Sequence, residues 1–216
     1  MGEKLHRYEG ESILVTYDAG RCIHAAECVH GLPGVFNPDH RPWVSPDGAG
    51  ADEVAATVRR CPTGALQYRR LDGVASEAPP TENTVVIAAD GPLYAHGDVE
   101  VLDGEKSVLL RDTRVAFCRC GDSRYKPFCD GTHSQAGFAA SGAIPDPKIR
   151  QAETDETGLK VVVASNGPLI LEGPVTLRDA AGGDSCSGTK TALCRCGASE
   201  NKPFCDGTHA RIGFAG

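Results

Sequence analysis

Residues 118–133 read CRCGDSRYKPFCDGTH, and residues 194–209 read CRCGASENKPFCDGTH. Thirteen of the 16 positions are identical; the three that differ are Asp122/Ala198, Arg124/Glu200 and Tyr125/Asn201. The likeness continues outward at a constant offset of 76 residues. Val85-Val86-Ile87-Ala88 returns as Val161-Val162-Val163-Ala164, Gly91-Pro92-Leu93 as Gly167-Pro168-Leu169, and Gly137-Phe138 as Gly213-Phe214. A register kept over ~55 residues with no net insertion is the mark of a duplicated unit.

Each copy opens β-rich. TVVIAADGPLYAHGDVEVL, residues 84–102, has β-branched runs broken by Gly-Pro and His-Gly turns. Val115-Ala116-Phe117-Cys118 and Thr191-Ala192-Leu193-Cys194 read as a further strand feeding each motif. Gly137 and Gly213 read as stops for one short helical turn. SEAPPTE, residues 76–82, reads as a linker, and AIPDPKIRQAETDETG, residues 143–158, as the connection between copies.

The repeated motif has the residues of a metal site. Cys118 and Cys120 are two apart, so on an extended chain their sulfurs point the same way. Cys129 and His133 are four apart, so one helical turn stacks them on one face. Asp130 is placed to cap that turn, and Pro127 to shape the loop before it. The same holds for Cys194, Cys196, Cys205 and His209. A Cys₃His set suits zinc, although a tight Cys-x-Cys is atypical of zinc knuckles. It also suits an iron–sulfur cluster in which His replaces one Cys. Spacing alone leaves both open.

Both copies resemble the CDGSH iron–sulfur domain family, that of mitoNEET. The family pattern is Cys-x-Cys-x₂-Ser/Thr-x₃-Pro-x-Cys-Asp-Gly-Ser/Ala/Thr-His. Here Ser123 and Ser199 fill the hydroxyl position, Pro127 and Pro203 the proline, and Thr132 and Thr208 the variable slot. The resemblance implies one [2Fe-2S] cluster per motif. The ligands would be Cys118, Cys120, Cys129 and His133 in the first, and Cys194, Cys196, Cys205 and His209 in the second. mitoNEET is a membrane-anchored homodimer with one motif per chain, whereas this chain has two motifs in tandem and no apparent anchor. The expected consequence is a monomer whose two CDGSH domains, residues 83–142 and 159–216, form an intramolecular pseudo-dimer with pseudo-twofold symmetry. Their β-rich stretches would make one cap above two clusters.

Residues 1–75 carry a different pattern, read as a small mixed α+β unit. Ser12 to Tyr17 reads as a strand, Cys22 to Cys28 as a short helical stretch, Ala51 to Arg60 as a helix with Val54 and Val58 on one face, and Leu66-Gln67-Tyr68 as a strand. The cysteines run Cys22-x₅-Cys28-x₃₂-Cys61-Pro62. A cubane ferredoxin reads Cys-x₂-Cys-x₂-Cys and then a remote Cys-Pro; its middle cysteine position falls here on Ala25. The ending Cys-Pro-x-Gly-Ala-Leu, residues 61–66, resembles the divergent single-cluster ferredoxin domain. Three thiolates, Cys22, Cys28 and Cys61, suit a [3Fe-4S] cluster, or a [4Fe-4S] cluster whose fourth iron takes another ligand, with His24 the adjacent candidate.

Composition narrows the rest. The chain has 216 residues with 26 glycines and 14 prolines, so it is loop-rich, and no heptad or Gly-X-Y period is present. A net charge of −7 argues against an electrostatic nucleic-acid or anionic-lipid binder. No apolar run reaches the ~18–20 residues of a membrane span, and the N-terminus has no apolar signal core, so the expected location is cytoplasmic. The tenth cysteine, Cys186, reads as a loop thiol without a partner. His6, His30, His40 and His96 lack ligand spacing, and Trp43 reads as packing for the N-terminal core. Lys126 and Lys202 read either as solvated loop charges or as donors to the clusters. No nucleophile arrangement or phosphate loop is readable. The expectation is a non-enzymatic electron carrier docking on a basic redox protein. The alternatives are cluster transfer or storage with an apo-acceptor, and a zinc-stabilised interaction module.

Overall fold

The computed structural model describes residues 5–216. They divide into two compact units, with the boundary between Ala78 and Pro79.

In the first unit, β1 (Leu5–Glu9), β2 (Ile13–Asp18) and β3 (Leu66–Arg70) form an antiparallel sheet in the order β1-β2-β3. Ile13 and Val15 alternate inward from β2. Helix α2 (Ala51–Arg59) turns Val54, Ala55 and Val58 to the same core, and Phe36, Val44 and Leu66 complete it. The Glu53 carboxylate reaches back to accept from Gly50 N at 3.3 Å, which caps the first turn of α2. Trp43 packs edge-on to Tyr17, with ring centroids 4.9 Å apart. The stretch from Cys22 to Cys28 is not helical as expected. Residues 22–26 are irregular, and α1 begins only at Glu27 and ends at Gly31. His24 and Ala26 have φ of 57° and 63°, a left-handed geometry that a right-handed helix cannot absorb. Strand β1 was not foreseen, because Leu5–Glu9 is mostly exposed and carries no alternation to read.

The second unit holds both copies in one sheet system. The strands are β4 (Thr84–Ile87), β5 (Leu93–Leu102), β6 (Val108–Phe117), β7 (Ile149–Arg150), β8 (Leu159–Val163), β9 (Leu169–Asp179) and β10 (Ser185–Leu193). Within each copy the pairing is antiparallel, β4–β5–β6 and β8–β9–β10. Between copies it is parallel, β4 with β9 and β5 with β8. Val85 faces Leu177 in one pairing and Val161 faces Val101 in the other. The shift of 76 residues that relates the sequences also exchanges these two pairings.

Each long strand therefore changes partner halfway along, at Gly97 in β5 and Gly173 in β9. A Cβ on Gly173 would lie 2.2 Å from Gly158 O, and one on Gly97 would lie 2.3 Å from Asn83 Oδ1. Buried Asn83 stitches one crossing. Its Nδ2 donates to Thr157 O and Pro174 O, and its Oδ1 accepts from Asp98 N at 2.9 Å. Strand β7, which pairs with Lys190 and Thr191 of β10, lies inside the expected connection 143–158. Two residues are too few to show a strand period.

Valines, leucines and phenylalanines of both copies fill one shared core, among them Val85, Val101, Phe117, Val161, Leu171 and Phe204. Each such side chain contributes about 1.5–3 kcal/mol when fully buried. The inner face of either copy is thus covered by the other.

The strand crossing makes a testable demand. Gly173→Ala meets both a backbone clash and, at φ 103°, the left-handed penalty of about 1–2 kcal/mol. Gly182→Ala, at φ 74° in open space, meets the second alone. Denaturant unfolding should show a clearly larger loss for Gly173→Ala; equal losses would contradict the close crossing at Gly158.

Candidate metal centres

The chain folds back on itself after β6, and this places the first ligand set. Cys118 N donates to Pro127 O and Cys129 N donates to Ala116 O, both at 2.9 Å, so residues 127–129 run back alongside 116–118. Ser123 braces the loop: its Oγ donates to Phe128 O at 2.7 Å and accepts from Tyr125 N at 3.0 Å. Lys126 Nζ donates to Ser123 O at 2.7 Å, so this lysine is a loop brace. Asp130 accepts from Arg124 N at 2.9 Å and from Thr132 N at 3.0 Å. It thus holds the start of α3 (Thr132–Gln135), although Gly131 and not Asp130 occupies the cap position.

The second copy repeats this geometry after β10. Cys194 N donates to Pro203 O at 2.8 Å and Cys205 N to Ala192 O at 2.9 Å. Ser199, Lys202 and Asp206 take the parts of Ser123, Lys126 and Asp130, ahead of α4 (Thr208–Arg211).

The ligands come together in pairs. Cys118 Sγ and Cys120 Sγ are 3.6 Å apart, and Cys129 Sγ and His133 Nδ1 3.3 Å. In the second copy the distances are 3.7 Å for Cys194 and Cys196, and 3.4 Å for Cys205 and His209. A tetrahedral metal with bonds of about 2.3 Å to sulfur spaces two of its ligands about 3.8 Å apart. Each pair therefore spans about one tetrahedral edge. Among the described residues no three Cys, His, Asp or Glu side chains close on a point that one ion could occupy. Gly131 N points at Cys129 Sγ and Asp122 N at Cys120 Sγ, both at 3.4 Å, which adds amide dipoles to the sulfurs.

Burial sets the resting charge. It pushes the Cys129 thiol up to about 11, raises Cys194 and Cys205, and pushes the His133 imidazole down. A ligating imidazole must be neutral, so the burial of His133 favours the competent form. Within the first pair, the hydrogen bond between the two sulfurs holds Cys118 down and Cys120 up.

In the N-terminal unit, Cys22, Cys28 and Cys61 line one void with a cavity volume of about 30 Å³, partly open to solvent and walled by Tyr17, Trp43 and Leu66. Tyr17 hydrogen-bonds Cys22, Leu66 N donates to Cys61 Sγ at 3.5 Å, and burial raises the Cys28 thiol. His24, expected as a fourth ligand, is exposed and does not line the void; Glu27 does. Cys186 is not in a loop but in β10, half-buried against the edge of the core.

Family comparison agrees with this division. A model described as an iron-binding zinc finger of CDGSH type matches residues 90–134 and again 166–210. A model described as a divergent 4Fe-4S mono-cluster matches residues 8–71. The chain belongs to the CDGSH iron–sulfur domain family, as a tandem form behind a divergent single-cluster domain. It is also 39% identical over 62 residues to the uncharacterized protein YjdI of Escherichia coli K12, covering 29% of this chain and 82% of that protein. The same protein of E. coli O157:H7 matches equally. No solved structure matches the chain.

Sequence reading of the CDGSH motifs passed over the residue between the first two cysteines. Arg119 and Arg195 are each 1% exposed. Arg119 donates to the carbonyls of Gly91, Ala88, Ala140 and Ser141, and its guanidinium lies 5.2 Å from the Phe138 ring. Arg195 donates to Gly167, Ala164 and Gly216 and lies 5.1 Å from Phe214. Each therefore ties the ligand loop to the hairpin turn before it and to the segment after the short helix. Burying a charge costs several kcal/mol, and these fixed carbonyl dipoles offset it. The charge also reaches across the copies: Arg119 feels Cys194, and Arg195 feels Cys118. The two ligand loops touch, since a Cβ on Gly121 would lie 2.7 Å from Cys196 O, and one on Gly197 would lie 2.3 Å from Cys120 O. The signal in sequence was a large cation repeated between two cysteines that had to be buried.

Arg119→Met removes the fork and strands four carbonyls, and should cost on the order of 3 kcal/mol. Arg119→Lys, which keeps the charge but not the planar fork, should recover part of it. Thermal unfolding of the two variants measures this; an Arg119→Met protein as stable as the parent would contradict the stapling role.

Proposed function

We propose that the chain carries two [2Fe-2S] clusters and one larger cluster, and acts in electron transfer. The single observation that carries this reading is the pairwise arrangement of the ligands. A binuclear cluster asks each iron to take two protein ligands, and each copy offers two donor pairs each at roughly one tetrahedral edge. Cys118, Cys120, Cys129 and His133 would hold one cluster, and Cys194, Cys196, Cys205 and His209 the other. Cys22, Cys28 and Cys61, ringing one void, would hold a [3Fe-4S] cluster, or a [4Fe-4S] cluster with its fourth iron on the Glu27 side, in a ferredoxin-like unit. When bound, such clusters supply one-electron chemistry.

The strand exchange supports an intramolecular pseudo-dimer, with the β-rich stretches forming a cap common to both motifs. The contact between the two Cys-x-Cys loops supports a relay, because it sets the two sites side by side. The protein's own contribution is to bury the sulfurs, to aim amides at them, and to keep His133 neutral. With the cysteines and these histidines committed to ligation, we read the chain as a carrier and not an enzyme. Its partner would be a redox protein with a basic docking face, in keeping with the net charge of −7. Its proposed location is cytoplasmic; no described helix is long and apolar enough to cross a membrane. Transfer of clusters to an apo-acceptor is the second reading, favoured by the incomplete burial of His133 and His209.

Anaerobically purified protein should contain iron and acid-labile sulfide for two [2Fe-2S] clusters and a third cluster. Cys28→Ala should remove the third and leave the other two. Zinc at both repeats with no labile sulfide would overturn the reading.

The histidines make a second test. With three thiolates and a neutral imidazole, an oxidised [2Fe-2S] site is −1; a fourth thiolate makes it −2 and opposes the added electron. His209→Cys should therefore lower that cluster's reduction potential. As pH falls, the proton competes with iron for the imidazole. The depressed value of His133 means that its neutral form outlasts that of a free histidine, whose reference is near ~6.5, and is lost as pH falls through the folded value. His133→Cys should move acid bleaching of its cluster to lower pH. Unchanged potential and acid lability in these variants would show that the histidines are not ligands.

A further inference from the structure

The two copies are related by a constant shift, yet their metal centres are not equally covered. Cys118, Cys120 and Cys129 are all buried. In the second copy only Cys194 is buried, while Cys196 and Cys205 are partly exposed. Two of the positions at which the copies differ replace a ring near the motif. Tyr94 in β5 becomes Ile170 in β9, and Tyr125 becomes Asn201. Tyr125 packs against Phe128 with ring centroids 5.7 Å apart and joins the edge of the core. Tyr94 pairs with Ala116, and Ala116 O accepts from Cys129 N at 2.9 Å, so Tyr94, Ala116 and Cys129 form one row across the sheet. The Tyr94 ring thus shares a face of the sheet with Cys129, and Ile170 takes its place beside Cys205.

The place left beside Cys205 is a groove of about 570 Å³, formed by Pro147, Ile149, Pro168, Ile170, Ala192 and Cys205. One wall is β7, which pairs with β10. Lys148, Arg150 and Lys190 stand on its rim, with Lys148 paired to Asp146 and Lys190 to Glu172. The groove has room for a solute of small-molecule size, and Cys205 is part of its lining.

Resting on the cluster reading above, we propose that the second CDGSH site is the exchange end of the pair, the one small iron chelators reach through the groove beside Cys205, while Tyr94 shelters Cys129 in the first site. Nothing in the overall symmetry of the fold requires this. It follows from which side chains cover which sulfurs.

The test uses the full chain carrying Cys28→Ala, loaded with its two remaining clusters and exposed to excess catechol disulfonate, with visible absorbance followed in time. Two phases of equal amplitude are expected. Ile170→Tyr should slow the fast phase several-fold, and Tyr94→Ile should speed the slow phase. A second readout needs no tyrosine swap: limited alkylation of the cluster-free full chain with iodoacetamide, read by mass spectrometry, should modify Cys205 before Cys129. A single phase from loaded protein, a fast phase that answers to Tyr94→Ile and not to Ile170→Tyr, or equal alkylation of Cys205 and Cys129 would overturn the inference. Protein that never holds iron and sulfide would instead overturn the cluster reading on which it rests.

Discussion

The parallel pairing of β4 with β9 and of β5 with β8 is the constraint on which the rest of the second unit depends. It makes one core from two half-cores, and it fixes how the two motifs meet. Because one edge of each long strand serves its own copy along one half and the other copy along the second half, the loops that follow β6 and β10 arrive at one place. The close approach of Gly121 to Cys196, and of Gly197 to Cys120, is the local result. No side chain larger than hydrogen fits at either contact without moving a ligand's backbone.

Around that contact the electrostatics are arranged in two shells. Nearest the sulfurs are backbone amides and the imidazoles of His133 and His209. Behind them stand Arg119 and Arg195, buried cations held by carbonyls and without a carboxylate bonded to them in the hydrogen bonds seen here. Each cation lies within reach of a sulfur of the opposite copy. A cluster that gained negative charge on reduction would thereby lie near fixed positive charge, which is how a small protein can hold such charge away from water.

Much of this was legible in the sequence, and the reasons are specific. The offset of 76 residues, the strands entering Cys118 and Cys194, and the helix over Ala51–Arg59 all rest on strong local patterns, and the structure has them. The pairing of Cys118 with Cys120 and of Cys129 with His133 was readable because a Cys-x-Cys followed by Cys-x₃-His restricts which side chains can face one another. What the sequence hid was non-local or strained. The left-handed residues His24 and Ala26 removed the expected helical stretch between Cys22 and Cys28, and His24 lies outside the void. Strands β1 and β7 are too exposed or too short to show a period. The parallel pairing between copies, and the burial of Arg119 and Arg195, depend on tertiary contacts that no window of sequence contains. The exchange of Tyr94 for Ile170 was visible in the repeat, but its meaning needed the groove.

The central claim is that each CDGSH motif holds two irons, one on a cysteine pair and one on a cysteine and a histidine. Mössbauer spectroscopy of the Cys28→Ala protein enriched in ⁵⁷Fe tests it most directly. The account predicts ferric doublets when oxidised and, on one-electron reduction of each cluster, a localised ferrous signal from half of the iron, the half bound by His133 and His209. That signal should change when either histidine is replaced by cysteine. Iron that stays equivalent throughout, or motifs that bind a single metal ion without sulfide, would contradict it.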